Sequence, residues 1–146
     1  MLNDPPAAAD SERLLVLLAY GLLLLAPVTG GLLALVGLVI AVVRLDPAKG
    51  TLQESHYRNQ IRVFCVVLAY MVIVTLLLAA LALVAVALGL SLFSTGFVFT
   101  WPFWVGHLAG WAMLLPLVAL ASLAMVIWYY WRLLRGFFLA LDDRAY

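Results

Sequence analysis

Long apolar runs separated by short polar interruptions set the pattern of this chain. Residues 14–26, 32–43, 63–90 and 102–131 are almost wholly apolar. Each run suits a membrane helix better than a soluble one, because no polar face recurs at helical spacing. No Asp, Glu, Lys or Arg stands between Arg62 and Arg132, which leaves room for two crossings of about 20 residues each and a neutral connection. Ser11 before Glu12-Arg13 reads as a helix start with an acidic first turn. The cluster Pro27-Val28-Thr29-Gly30-Gly31 reads as a break.

Two architectures fit residues 12–43. One continuous helix measures about 48 Å, well beyond a hydrocarbon core of about 30 Å. A hairpin of two short helices uses the breaker residues, with short arms tolerated by local bilayer thinning, and is preferred. The expected fold is therefore an all-α integral membrane protein with four transmembrane helices, the first two forming a hairpin. The helices are placed at about 12–26, 31–44, 53–90 and 102–135 within a single domain, 12–141. A disordered tail precedes it at 1–11, and a polar end closes the chain at 142–146.

Small residues recur at Gly30, Ala34, Gly37 and Ala41, one stripe of the second arm. Gly106 and Gly110 give the fourth helix a similar face. Such stripes permit close backbone approach between helices in lipid. Packing within the chain is preferred here to a homodimer interface. Pro116 is expected to kink the fourth helix. Residues 89–100 read as an uncharged exterior loop. Trp101, Phe103 and Trp104 form one aromatic belt, and Trp128-Tyr129-Tyr130-Trp131, backed by Arg132 and Arg135, forms the other. His107 lies near the exterior end of the fourth segment, where hydrogen bonding to headgroups or a neighbouring helix is favoured over proton transfer.

Composition strengthens the membrane reading. Of 146 residues, 68% are hydrophobic and 10% charged, and the mean hydropathy is +1.18. A soluble domain of this length needs far more polar surface. The net charge of +1 provides no field for nucleic acid. Cys65 is the single cysteine, so an intrachain disulfide is impossible and a buried structural thiol is expected. The acidic, Pro/Ala-rich start does not resemble a signal peptide.

Lys and Arg are asymmetric. Four lie in 44–62, three after residue 131 and one before residue 14, while the connections near 27–31 and 91–104 have none. The positive-inside rule then places both termini and the 44–62 loop in the cytoplasm, in a multi-pass protein of the inner membrane.

The 44–62 stretch holds six of the fifteen charged side chains and one of the two histidines. If it is helical from about Thr51, then Gln53, His56, Gln60 and Asn59 share a face. Arg58 and Arg62 lie on the neighbouring face, with Glu54 able to pair with Arg58. Such a surface suits a protein segment or a lipid headgroup, and His56, Arg58, Gln60, Arg62, Arg44, Arg132 and Arg135 are the candidate contact residues. The competing reading is a solvated helix start. His56 has no second His or Cys at ligand spacing, so no metal or cofactor is expected.

The run Gly50-Thr51-Leu52-x-x-Ser55-His56-x-Arg58-x-Gln60-Ile61-Arg62, with Trp128-Tyr129-x-x-Arg132-x-x-x-Gly136 near the end, resembles small bacterial four-helix inner-membrane proteins of unknown function. These are distantly related to the Tic-type component of the chloroplast import machinery. The resemblance implies four helices with both termini inside, and it implies no activity.

The expected function is that of an accessory or scaffold protein acting through protein or lipid contacts at the 44–62 loop, in the bilayer with a protein partner or as a homo-oligomer. The alternative is an oligomeric transporter or channel component, for which the charge-free spans offer only Thr75, His107 and Ser122 along a path. An enzyme is not expected, since Glu54 and His56 are the one pair of titratable groups at a spacing that suggests a shared site, and a pair on one loop is more often a solvated cap.

Overall fold

The computed structural model describes residues 6–94 and 101–146. Among them the chain is helical, without strands: α1 Pro6–Leu25, a 3₁₀ turn Ala26–Thr29, α2 Leu32–Leu45, α3 Leu52–Ser94 and α4 Trp101–Leu141. Three stretches, Asp10–Thr29, Leu52–Leu88 and Ala109–Leu141, are long and apolar enough to cross a membrane. With 14 residues, α2 spans about 21 Å and is too short to cross by itself.

Several boundaries differ from expectation. The first helix begins at Pro6, inside the stretch expected as a tail, so Ser11 and Glu12 lie within α1 rather than at its cap. Proline suits the first helical position, where its missing N–H is no loss, and Ala7-Ala8-Ala9 carries the helix onward. Likewise α3 continues to Ser94 and α4 to Leu141, through Pro116. Residues 1–5 and 95–100 lie outside the described residues, as do the side chains of Trp101, Phe103, Trp104 and His107.

The chain divides into two compact units, Met1–Val67 with Ile127–Tyr146, and Leu68–Val126. In the first, α1 and α2 form the expected hairpin. Gly30 and Gly31 turn it with φ of 60° and 92°, the left-handed region that glycine enters without a Cβ clash. Thr29 Oγ1 donates to the Ala26 carbonyl and accepts from the Leu33 N–H. The stripe of small residues divides accordingly. A Cβ on Gly37 would meet the Ala19 carbonyl at 3.1 Å, and Ala41 is fully buried, so these two serve close approach to α1. Gly30 instead serves the turn, with nothing within 4 Å of its Cβ position. Ala34 packs at the margin of the buried core.

That core takes one face of α1, Val16, Ala19, Tyr20 and Leu23, with Tyr57 and Val63 of α3 and Tyr129 and Leu133 of α4. The opposite face of α1 exposes Leu14, Leu18 and Leu25, an arrangement that suits lipid rather than water as the solvent.

In the second unit no described side chain is fully buried. Half-buried positions recur at spacings of three and four: Tyr70, Val74, Leu78, Leu81 and Ala85 on α3, and Trp111, Leu114, Val118, Ser122 and Met125 on α4. Such a stripe marks a single seam on each helix. Tyr70 and Ser122 meet across it at 2.8 Å, and because Ser122 donates to the Val118 carbonyl, the tyrosine is the donor. Gly106 and Gly110 have nothing within 4 Å of their Cβ positions. They line an open apolar groove of about 230 Å³ together with Leu81, Ala85 and Trp111.

Candidate functional site

The polar stretch 44–62 folds as a compact turn and a helix start. Gly50, with φ of 78°, turns the chain into α3. Glu54, in the first turn, accepts the Gly50 N–H at 2.9 Å and pairs with Arg58 at 2.7 Å. This reproduces the logic of a capping box, in which an early carboxylate reaches back to an orphan N–H. Asp46 and Lys49 pair at 2.7 Å. Their hydrogen bond and mutual attraction hold the carboxyl below, and the ammonium above, their ordinary pKa values. Both groups are solvated, and such pairs contribute little to stability.

From Leu52 onward the face of α3 carrying His56, Tyr57, Asn59, Gln60 and Val63 turns inward. This overturns the expected contact surface. His56 and Gln60 are each 1% exposed, so neither is available to a partner, while Arg58 and Arg62 remain outside. The spacing of the shared face was as expected, but it is the buried face. The reason lies on other elements, which supply polar partners for His56, Tyr57, Asn59 and the amide nitrogen of Gln60.

Those partners form one directed chain of hydrogen bonds. Arg132 Nε of α4 donates to Asn59 Oδ1 at 3.1 Å, and Asn59 Nδ2 donates to the Tyr20 hydroxyl of α1 at 3.1 Å. The hydroxyl meets His56 Nδ1 at 3.3 Å, and His56 Nε2 lies 2.8 Å from the Arg144 carbonyl. A carbonyl only accepts, so Nε2 carries the proton. In the neutral ring Nδ1 then accepts from Tyr20, whose oxygen already accepts from Asn59. Every member is satisfied, and α1, α3, α4 and the segment after α4 are joined through side-chain tips. A half-satisfied version would be less stable than an apolar core.

Gln60 is the exception. Its Nε2 donates to the Val16 carbonyl at 3.1 Å, while Oε1 has no partner. Leucine removes the unpaired Oε1, and the Val16 carbonyl, inside α1, keeps a helical partner when the Gln60 amide is lost. Gln60→Leu is therefore expected to change stability by less than about 1 kcal/mol in a detergent unfolding titration. A loss of several kcal/mol would mean that Oε1 has a partner essential to folding.

Ion pairs gather at the same end of this unit. Arg44 pairs with Glu12 at 2.9 Å, Tyr57 donates to the other Glu12 oxygen at 3.4 Å, and Arg13 pairs with Asp143 at 3.2 Å. Arg13 also donates to the Leu141 carbonyl, and Tyr129 donates to the Leu23 carbonyl. Arg132 and Arg135 stack on the Tyr146 ring, with guanidinium carbons 5.2 and 5.9 Å from its centroid.

The cluster joins α1, α3, α4 and the segment after α4 as a clasp. Its cavity is about 10 Å³, room for no more than one water. Both His56 nitrogens are engaged, and Ser55 Oγ donates to the Leu52 carbonyl. Among the described residues no three His, Cys, Asp or Glu side chains lie together as a metal site. Cys65 is exposed, not buried as expected, because it falls on the outer face of α3 beside Arg62.

Sequence reasoning missed Tyr20, Glu12, Ser55 and Tyr146. Only Tyr20 left a signal, as the single side chain with a polar tip between Leu14 and Ala26. Comparison with protein-family models, curated proteins and solved structures finds no match.

Proposed function

We propose that this is a small multi-pass inner-membrane protein of accessory or scaffold type, without catalytic activity, acting through protein or lipid contacts at its basic end. In this reading the four helices are all membrane-inserted, α2 as a short arm beside α1. Both termini and the 44–62 segment face the cytoplasm. The ion pairs Glu12–Arg44 and Arg13–Asp143 support a common side, since they draw the start of α1, the end of α2 and the tail together. A distant relationship to Tic-type proteins belongs to the same proposal and adds no activity to it.

The observation that carries the reading is the division of the basic side chains. Arg13, Arg44, Lys49 and Arg58 are paired with carboxylates. Arg62 and Arg135 are exposed, and no carboxylate pairs with either among the described residues. An exposed, unpaired guanidinium beside an apolar helix is suited to an acidic protein segment or an anionic headgroup. Replacing Arg58 and Arg62 together with Ala is expected to leave insertion intact. Recovery of a co-purifying protein or anionic lipid should fall about thirtyfold, at roughly 1 kcal/mol for each of the two basic residues near such a surface. Unchanged recovery after gentle extraction would sink the reading.

A further inference from the structure

Beyond α4 the chain folds back over the polar cluster. Asp143 turns it with φ of 52°, uncommon for a residue with a Cβ, and the Arg144 N–H returns to the Leu139 carbonyl at 2.9 Å. The last three residues are held by few contacts. The Arg144 carbonyl accepts from His56 Nε2, the Tyr146 N–H donates to Ser55 Oγ at 2.9 Å, and the Tyr146 ring lies against Arg132 and Arg135. The ring also meets His56 edge-on, with centroids 6.4 Å apart.

Apart from Ser55 Oγ, which accepts the Tyr146 N–H, the two sides are complementary in one sense. Beneath the segment stand two guanidinium groups and an imidazole N–H, all donors. Above stand a carbonyl and the face of an aromatic ring, both electron-rich. Arg132 uses its Nε on Asn59, and its guanidinium carbon lies over the Tyr146 and Trp128 rings, 5.2 and 5.8 Å from their centroids. Of the acids on the segment, Asp143 is paired with Arg13. Removing the segment would therefore leave at least two positive charges and a histidine N–H together with no acceptor.

We infer that residues 142–146 are a displaceable strap over an anion site formed by Arg132, Arg135 and His56, and that the site takes a phosphate group, from an anionic lipid headgroup or free in solution. The inference rests on the contact reading and deepens it by naming a ligand class at the basic end, but it uses other residues. A phosphate offers several charged acceptors to the planar forks of two arginines, and charge-assisted bonds are roughly twice as strong as neutral ones. The strap supplies one neutral acceptor and one ring face. It is thus a weak internal substitute, able to yield to a doubly bonded anion.

The test uses the full chain in nanodiscs of phosphatidylcholine with a minor fraction of phosphatidylglycerol, with retained lipid counted by native mass spectrometry. Tyr146→Ala, which removes the ring but no charge, should raise retained phosphatidylglycerol about tenfold. Adding Arg135→Gln should abolish that gain. Arg135 makes no contact with the buried chain Arg132–Asn59–Tyr20–His56, so an unchanged unfolding midpoint in this variant confirms an intact fold. Inorganic phosphate that competes away the retained lipid would assign the site to the free ion, and failure to compete would assign it to the headgroup. Retention unchanged by Tyr146→Ala, or a gain that survives Arg135→Gln, overturns the inference. The Arg58→Ala/Arg62→Ala variant should lower basal retention yet leave the relative gain from Tyr146→Ala unaltered, so loss of the scaffold reading and loss of the strap are separately visible.

Discussion

Gly136→Ala is expected to cost about 3 kcal/mol of stability, from overpacking at a buried site together with lost hydrogen bonds. Gly136 is buried where α4 passes the side chain of Tyr20. A Cβ there would overlap the hydroxyl and lie 2.6 Å from ring Cζ and 2.7 Å from Cε1. The far end of a tyrosine in a loose site would swing away cheaply. This one is fully buried, and its oxygen is held by both Asn59 and His56, so moving it breaks two bonds and leaves two polar groups without partners. A detergent or denaturant titration reads the effect. Gly106→Ala, where nothing lies within 4 Å, is the matched control and should be neutral. Pairing Gly136→Ala with Tyr20→Leu should recover part of the loss, as expected for residues in contact. A Gly136→Ala protein as stable as the parent would show that Tyr20 is free to move.

Tyr20→Phe is expected to cost about 2–4 kcal/mol, although it removes one oxygen and leaves the ring in place, because each orphaned buried group costs about 1–3 kcal/mol. That oxygen is both the acceptor for Asn59 Nδ2 and the donor to His56 Nδ1, and burial leaves no water to replace it. The contrast with Gln60→Leu is informative, because both remove polar atoms from the same buried face. One breaks a chain of satisfied bonds, whereas the other removes an amide already half-unpaired. If both changes prove equally mild, the polar chain is not what fastens α1 to α3 and α4.

Legibility in the sequence tracked the range of the interaction concerned. The α1–α2 break was legible because Pro27, Gly30 and Gly31 act through their own backbone preferences. The shared face of His56, Asn59 and Gln60 was legible from helical spacing. Its direction was not, since a polar face next to charged residues reads equally well as solvated. The inward turn depends on Tyr20, 36 residues away from His56, and on the Arg144 carbonyl, 88 residues away. The role of Gly37 was legible as a small residue on a helix stripe. Gly136, noted in the sequence only as part of a resemblance motif, makes the tighter approach.

By itself the sequence determined that the chain is helical and has apolar stretches able to cross a membrane, although its pattern reads as four crossings where three helices are long enough. Those properties arise from the composition of contiguous segments and need no knowledge of their neighbours. Only the tertiary structure decided which polar residues are buried, which arginines remain unpaired and what the tail covers. Hydrogen bonds between side-chain tips form only when the helices are brought together in one register, and no local preference encodes that register.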